Sequence, residues 1–210
     1  MNSSAPVVSI VEDDPLLARA LERLLREEGW PVRRFESAEA FLAGHDPALT
    51  GCLLLDVQLP GLDGLALQRR LNEQETPPPV IFLTGHGDIP MTVAAVKAGA
   101  VDFLTKPVDA AKLVAAVRAA LARGREARAA AERTALLRRR FASLTQRERE
   151  VLAGLVAGKL NKQIAADLGI VEQTVKFHRA RIMERMQART AAELMHLTAR
   201  LDELQATGSD

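Results

Sequence analysis

The sequence has very few aromatic residues and no tyrosine. Six phenylalanines and one tryptophan account for 3% of its 210 residues. A protein that binds single-stranded nucleic acid by stacking bases on aromatic rings needs more of them, so this composition disfavours that kind of binding. Hydrophobic residues at 48% and charged residues at 26% instead indicate a globular chain that can bury a core.

Cysteine is almost absent as well, because Cys52 is the only one in the sequence. No disulfide can form within the chain, which is typical of a reducing compartment and predicts a cytoplasmic protein. The N-terminus lacks a basic region followed by an apolar core, which disfavours a signal peptide. No apolar run approaches the length of a membrane span, so we expect no role at a membrane.

The sequence has almost no net charge, but its charges are unevenly distributed. Residues 1–120 contain 11 Lys/Arg and 16 Asp/Glu, a net charge of −5, whereas residues 121–210 contain 17 and 11, a net charge of +6. The length allows two small domains. The asymmetry predicts an acidic domain followed by a basic domain, of which only the second meets a polyanion.

Short apolar runs alternate with helical patterns through the first 122 residues. The strand candidates are residues 7–11, 32–35, 51–56, 80–83 and 101–104. A helical pattern follows each of them, including one over residues 90–98. This alternation predicts an α/β domain in which a five-stranded parallel sheet has helices on both faces.

Residues with reactive side chains stand where four of these strands end: Glu12 and Asp13, Asp56, Thr84, and Lys106. Because the carboxyl ends of parallel strands share one edge of the sheet, these side chains are expected to lie close together. Clustered carboxylates repel unless a cation joins them, and hard oxygen ligands favour Mg²⁺. One aspartate could then accept a phosphoryl group while the lysine and the threonine neutralise its oxygens. Each residue alone would be an ordinary turn or surface residue; all five together favour a site.

Two other enzyme classes fit the sequence less well. A nucleotide-binding Rossmann domain has a glycine-rich loop after its first strand, whereas here acidic residues follow that strand and would repel phosphate. A haloacid-dehalogenase-like phosphatase carries a second aspartate two residues after its nucleophile, and this chain has Gln58 there. With no acid to protonate a leaving group, we expect phosphorylation of the protein itself without substrate turnover.

Several motifs of the first half resemble the receiver domain of two-component response regulators. They are Val11-Glu12-Asp13-Asp14, Leu55-Asp56, Leu59-Pro60-Gly61-Leu62-Asp63-Gly64, Thr84-Gly85-His86-Gly87-Asp88, Ala98-Gly99-Ala100 and Lys106-Pro107. The resemblance covers residues 6–122. It implies a doubly wound, flavodoxin-like fold with strand order 2-1-3-4-5.

The resemblance also implies a role for each residue at the sheet edge. Asp56 would accept a phosphoryl group from a sensor histidine kinase. The Mg²⁺ ligands would be Glu12, Asp13, Asp56 and the carbonyl of Gln58, although the choice among the acids at positions 12–14 stays open. Thr84 and Lys106 would contact the phosphoryl group, Thr84 and Phe103 would form a switch, and the Lys106-Pro107 bond would be cis.

The basic half contains a helix-turn-helix candidate. A short helical pattern ends at Gly169, and a longer one covers residues 171–186. At about 100° per residue, the longer helix places Val175, Ile182 and Met186 on one face. The opposite face carries Gln173, Lys176, Phe177, Ala180, Arg181 and Glu184. A solvated amphipathic helix would have no use for an outward Phe177, whereas a major groove offers thymine methyl groups to such a ring.

The basic half also resembles the four-helix LuxR-type DNA-binding domain of the NarL/FixJ regulators. The matching strings are Leu144-Thr145-Gln146-Arg147-Glu148, Asn161-Lys162-Gln163-Ile164-Ala165 and Thr174-Val175-Lys176-Phe177-His178, within residues 141–201. The resemblance implies that Lys176, Phe177 and Ala180 read bases and that Asn161 and Lys162 lie near phosphates. One departure is Val171, where the family usually has a Ser or Thr that caps the recognition helix.

Together these patterns predict a receiver over residues 1–122, a helical linker over 123–140 and a LuxR-type domain over 141–210. We expect a transcription regulator that dimerises on phosphorylation and binds double-stranded promoter DNA, with RNA polymerase as a further candidate partner. The alternative is a phosphorylatable interaction module whose basic half serves assembly and does not read DNA. DNA binding that survives competition by random sequence would distinguish the two.

Overall fold

The computed structural model describes residues 6–47, 50–85 and 99–206. The chain divides between Ala129 and Ala130 into two compact units, each with its own hydrophobic core. The helical pattern predicted over residues 90–98 lies outside the described residues. No helix in the described part of the chain is both long enough and apolar enough to cross a membrane.

The first unit is built around a parallel sheet. Its strands are β1 (Val7–Val11), β2 (Val32–Phe35), β3 (Thr50–Asp56), β4 (Val80–Thr84) and β5 (Asp102–Thr105). They pair in the order β2-β1-β3-β4-β5, and every pairing is parallel. This order confirms the predicted doubly wound topology, in which ligands gather at the carboxyl edge of the strands.

Apolar residues cover both faces of this sheet. Along β3, Cys52 and Leu54 pack into one core cluster, while Leu53 and Leu55 pack into the other. All four are fully buried, as expected for a central parallel strand. Burial raises the pKa of the Cys52 thiol to about 12, so this cysteine serves as a small apolar core residue.

Three helices described in the first unit begin at side-chain caps. They are α1 (Pro15–Glu27), α2 (Ala38–Gly44) and α3 (Gly64–Leu71). Asp14, Ser37 and Asp63 respectively accept hydrogen bonds from backbone N–H groups in the first turn of these helices. Each cap satisfies donors that the helix itself leaves without acceptors.

Helix α4 (Ala110–Ala142) covers the whole segment that the sequence predicted as a linker. The Arg128 guanidinium donates a hydrogen bond of 2.9 Å to the carbonyl of Pro47, within the first unit. Leu137 is 5% exposed and belongs to the core of the second unit. Helical backbone therefore runs through residues 123–140, while the two predicted boundaries, after residues 122 and 140, stay predictions.

The second unit continues with four short helices: α5 (Gln146–Val156), α6 (Asn161–Leu168), α7 (Glu172–Met186) and α8 (Ala191–Ala206). Thr145 and Glu148 form the capping box that their spacing predicts, since each side chain accepts a hydrogen bond from the backbone N–H of the other. Gly169 ends α6 in a left-handed conformation at φ 64°, as the predicted turn requires.

Candidate functional site

The carboxyl edge of the sheet brings together the side chains that the sequence singled out there. Asp56 is the last residue of β3, and Glu12 and Lys106 directly follow β1 and β5. The Lys106 ammonium lies 2.7 Å from Asp56 Oδ2 and 2.9 Å from Glu12 Oε1. It also lies 2.7 Å from Glu12 Oε2, without the angle of a hydrogen bond. One cation therefore lies between two carboxylates that come from different strands.

Both carboxylates are withdrawn from water more than the ammonium is. The side chains of Glu12 and Asp56 are 1% and 6% exposed, compared with 22% for Lys106. Burial, and to a lesser degree the charge of Asp56, raise the pKa of Glu12 despite the hydrogen bond from Lys106. Burial alone would lower the pKa of Lys106, but its hydrogen bonds to Asp56 and Glu12 outweigh this and raise it.

A third carboxylate completes a group that suits a hard cation. Glu12, Asp13 and Asp56 each offer an oxygen within 4.8 Å of the others, and Asp13 is exposed. Asp13 and Gln58 line the same open cleft. A single lysine leaves this group of three acids with excess negative charge. The donor set therefore fits Mg²⁺, which prefers carboxylate and carbonyl oxygens with room for water.

Asp14 has a different task from its two neighbours. Its Oδ1 accepts hydrogen bonds of 2.8 and 3.3 Å from the N–H groups of Leu16 and Leu17 at the start of α1. This carboxylate caps a helix, and the group of three clustered carboxylates contains Glu12 and Asp13 but not Asp14.

The remaining predicted residues of this edge lie beside it. Thr84 ends β4 and is 3% exposed, and its carbonyl accepts a hydrogen bond of 2.7 Å from the Lys106 N–H. Phe103 on β5 is half-buried, with its ring 5.4 Å from that of Phe82. The Lys106-Pro107 bond is cis, as the resemblance implied.

Two residues that the sequence motifs do not identify contact Asp56 or the connection that follows it. A Cβ at Gly64 would lie 2.2 Å from the carbonyl oxygen of Asp56, so only glycine lets α3 begin so close to β3. Glu39 of α2 accepts a hydrogen bond of 2.9 Å from the N–H of Leu62, in the connection between β3 and α3. Gly64 stood in a quoted motif but had no role assigned, and no local pattern links Glu39 to a residue 23 positions away.

Helix α7 in the second unit has the two faces predicted for it. Val175, Ile182 and Met186 are fully buried in the core. The outward residues are all exposed: Gln173, Lys176, Phe177, Ala180, Arg181 and Glu184. On α6, Lys162 is exposed and Asn161 is half-buried. The structure thus presents the candidate DNA-reading residues on one accessible helix face.

The outward face of α7 carries an exposed aromatic ring with a cation beside it. Phe177 is 57% exposed, and the Arg181 guanidinium carbon lies 5.4 Å from the centre of its ring. Lys176 pairs with Glu172 at 3.3 Å. Val171, at the N-cap, is 68% exposed and makes no capping hydrogen bond. An exposed ring between cations is a surface suited to a partner that is both negatively charged and partly apolar.

A buried carboxylate helps to hold α7 in place. Glu148 is 4% exposed, and its Oε1 lies 3.6 Å from Nε of Arg185 on α7. The same arginine donates a hydrogen bond to the carbonyl of Ser143. The sequence predicted Glu148 only as part of a capping box, because its second contact crosses 37 residues of chain.

Comparisons with known proteins agree with this geometry. The family model of the response regulator receiver domain matches residues 8–118, and that of the bacterial regulatory proteins of the luxR family matches residues 142–198. The response regulator protein TodT of Pseudomonas putida is 44% identical over 203 residues, which cover 97% of this chain and 89% of TodT.

Two further similarities extend over nearly the whole chain. The transcriptional regulatory protein FixJ of Azorhizobium caulinodans is 43% identical over 197 residues, covering 94% of this chain and 93% of FixJ. The solved structure of the response regulator StyR matches with a TM-score of 0.86 at 43% identity, covering 94% of this chain and all of that one.

Proposed function

Because the chain belongs to the NarL/FixJ family of two-component response regulators and is a DNA-binding transcription regulator, we propose that Asp56 is its phosphoacceptor. One observation carries the proposal. Asp56 ends the central strand with its Oδ2 2.7 Å from the only lysine ammonium of the acidic cluster described above. A phosphoryl group added there would keep a cation beside its oxygens, which phosphoryl transfer requires.

The reaction follows from the chemistry of the carboxylate. An Asp56 oxygen attacks the phosphorus of a phosphohistidine on a sensor kinase, the phosphorus–nitrogen bond breaks, and an aspartyl phosphate forms. The N–H of Gln58 donates to Asp56 Oδ1 at 3.0 Å and orients the carboxylate. Lys106 and the hydroxyl of Thr84 neutralise the transferred oxygens. Since Gln58 supplies no acid two residues after Asp56, we expect no turnover of a separate substrate.

Mg²⁺ is the cation that we propose for the acidic cluster. Asp13, Asp56 and the carbonyl of Gln58 would hold it together with Glu12. When bound, the ion supplies positive charge to the oxygens of the transferred phosphoryl group. The excess negative charge of the three carboxylates is the feature of this chain that favours it.

The Asp56→Asn variant should not be labelled by acetyl phosphate in the presence of Mg²⁺, because an amide cannot act as the carboxylate nucleophile. The fraction of phosphorylated protein is measured as a retarded band on a phosphate-binding gel. Asp102→Asn is a matched control, since an amide can still accept the hydrogen bond from the Phe103 N–H. Equal labelling of Asp56→Asn and the wild type would exclude Asp56 as the acceptor.

We also propose that the outward face of α7 reads DNA, with Lys176, Phe177 and Ala180 near base edges and Gln173 and Arg181 flanking them. Asn161 and Lys162 of α6 would contact phosphates. The exposure of this face supports the assignment. A basic helix with small and apolar outward side chains fits a major groove.

Lys176→Ala should weaken binding to a specific site and flatten the dependence of affinity on salt, because one cation is lost from the contact with the polyanion. Phe177→Ala should relax base preference and leave the salt dependence almost unchanged. Fluorescence anisotropy on specific and random duplexes at several salt concentrations separates these effects. Identical losses on random DNA for both variants would contradict the groove assignment.

Phosphorylation would act by pairing two receivers, which brings two DNA-binding domains to two half-sites and raises affinity through effective concentration. Movement of Thr84 towards the phosphoryl group, followed by Phe103, is the proposed switch. Sedimentation with and without beryllofluoride tests this step. A phosphorylated protein that stays monomeric yet protects both half-sites would contradict it. We place this activity in the cytoplasm, where a kinase, promoter DNA and RNA polymerase are accessible.

A further inference from the structure

The connection between β3 and α3 carries the residues that follow Asp56 and is held at both ends by its own backbone. The Val57 N–H donates to the carbonyl of Leu83 at 3.0 Å, and the Gly64 N–H donates to the carbonyl of Val57 at 3.0 Å. Between these points the chain passes Gln58, whose N–H donates to Asp56 Oδ1. The position of this connection therefore determines which backbone atoms face the acidic cluster.

The middle of the connection is held by a residue from another element. Glu39 of α2 accepts the hydrogen bond from the Leu62 N–H through Oε1, at 2.9 Å. A Cβ at Gly61 would lie 2.8 Å from the same oxygen, and Gly61 has φ +77°. Both a free Cα and a left-handed backbone are needed for this close approach, so Gly61 and Glu39 fit each other.

The carboxylate of Glu39 is itself held in place. Hydrogen bonds from its own backbone N–H and from that of Leu62, together with the Ser37 hydroxyl, lower the pKa of Glu39. Helix α2 is anchored by Phe41, which is fully buried and packs edge-on against Phe35 with ring centres 5.2 Å apart. A carboxylate on an anchored helix provides a fixed acceptor for the connection.

We propose that Glu39 is a positioning residue for phosphoryl transfer, holding the connection between β3 and α3 so that the backbone of Gln58 faces Asp56 and the cation. Glu39 touches neither the acceptor nor the transferred group and acts through Leu62 and the backbone that joins it to Gln58. This inference rests on the proposed function of Asp56. It assigns a supporting role in phosphoryl transfer to Glu39, which lies outside the carboxyl edge of the sheet.

The test compares Glu39→Ala, which removes the acceptor, with Glu39→Gln, whose amide oxygen can still accept from the Leu62 N–H. Glu36→Ala removes an exposed glutamate from the chain just before α2 and is the matched control. Labelling of the full chain by acetyl phosphate is followed across Mg²⁺ concentrations. Glu39→Ala should raise the Mg²⁺ concentration for half-maximal labelling by up to about tenfold, while Glu39→Gln and Glu36→Ala stay near the wild type.

A second measurement needs neither metal nor phosphodonor. Amide hydrogen exchange at Leu62 should be faster in Glu39→Ala than in Glu39→Gln, because only the alanine variant leaves this N–H without its acceptor. Fluorescence of Trp30, the only tryptophan, packed against the core of the first unit, verifies that each variant is folded.

Three results decide the proposal. Faster exchange at Leu62 with an unchanged Mg²⁺ requirement would overturn the proposal. The connection would then have lost its hydrogen bond to Glu39 without any effect on labelling. An equal rise in the Mg²⁺ concentration for half-maximal labelling in Glu39→Ala and Glu39→Gln would also overturn the proposal. Failure of the wild-type chain to be labelled would instead reject the phosphoacceptor assignment, while the exchange result would still report on the contact.

Discussion

Glu12 in the first unit and Glu148 in the second are both nearly inaccessible, at 2% and 4% exposed, and each faces a basic side chain. Burial and the neighbouring Asp56 raise the pKa of Glu12. Burial would also raise the pKa of Glu148, but hydrogen bonds from Thr145 and the charge of Arg185 outweigh it and lower that pKa. Burial thus acts in the same direction on both residues, and the net pKa shifts are opposite because Glu148 receives stronger compensation.

The difference lies in how much compensation each carboxylate receives. Glu148 accepts from a backbone N–H and a hydroxyl and is the one carboxylate that faces Arg185. Glu12 accepts a longer hydrogen bond of 3.4 Å from the Asp14 N–H and shares one lysine with Asp56, and Asp13 adds further negative charge. A fully satisfied carboxylate stabilises the fold, whereas an under-compensated one favours the arrival of a further cation. The contrast distinguishes a structural glutamate from one in a candidate cation site.

The largest effect is expected for Glu148→Ala, which should lower the free energy of unfolding of the second unit by roughly 2–3 kcal/mol. The variant loses the capping box and leaves Arg185 without a carboxylate partner. Chemical denaturation followed by far-ultraviolet circular dichroism reports both units, and Trp30 fluorescence, which reports the first unit, separates the two transitions. Glu150→Ala removes a glutamate that pairs with Arg147 on the same helix and should cost far less.

Acidification provides a check on the same residue. Because the pKa of Glu148 is lower in the folded chain than the ordinary 4.5, its contribution is present above pH 4.5 and is lost as the pH falls through the folded value. Glu148→Ala should therefore lose less stability than the wild type in that window. If the wild type and Glu148→Ala lost equal stability in this pH window, the contacts of Glu148 would not lower its pKa in the folded chain.

Glu12→Gln should change stability in the opposite direction. In the absence of Mg²⁺ it should raise the free energy of unfolding of the first unit by up to about 1 kcal/mol. The substitution removes a buried charge that competes with Asp56 for Lys106. The same variant should require more Mg²⁺ for labelling at Asp56. Trp30 fluorescence during urea unfolding measures the stability, with the exposed Glu27→Gln as a control. A loss of stability would show that Lys106 compensates both carboxylates.

The smallest effect concerns helix starts, in which α7 differs from most other helices. Asp14, Ser37, Asp63 and Asp109 cap helices of the first unit and Thr145 caps α5, whereas α7 begins at the exposed Val171 without a side-chain cap. Val171→Ser should stabilise the second unit by about 1 kcal/mol, because a hydroxyl can accept from a free N–H at the helix start. Thermal unfolding measures this, with Val156→Ser, a substitution of the exposed last residue of α5, as the control. A lower melting temperature for Val171→Ser than for the wild type would contradict the prediction that a hydroxyl there caps α7.

Much of the fold could be predicted because its signals are local. β1 and β2 have the predicted bounds, since apolar runs between breakers identify buried strands. β5 is displaced by one residue and includes Thr105, because its end is fixed by pairing with β4 and not by its own apolar run. The strand order came from the resemblance, and the pairing confirms it.

The candidate site could be predicted only in part. Residues that directly follow strands were identified, since a parallel sheet brings those positions together. The attachment of Glu39 to Leu62 and that of Glu148 to Arg185 depend on tertiary contacts between distant parts of the sequence. Asp14 had no assigned role beside two similar acids, and its capping bonds became visible only with the geometry of α1.

The crowding at Gly64 restricts how this receiver can vary in evolution. Any side chain there would enter the space of the Asp56 carbonyl, 2.2 Å from where its first carbon would stand. Change at this position would displace Asp56, the proposed acceptor, so selection should tolerate almost no replacement there. Gln58, which is exposed on the same connection, has no such constraint. Natural sequence variation on this connection should therefore accumulate at the accessible Gln58 and spare the crowded Gly64.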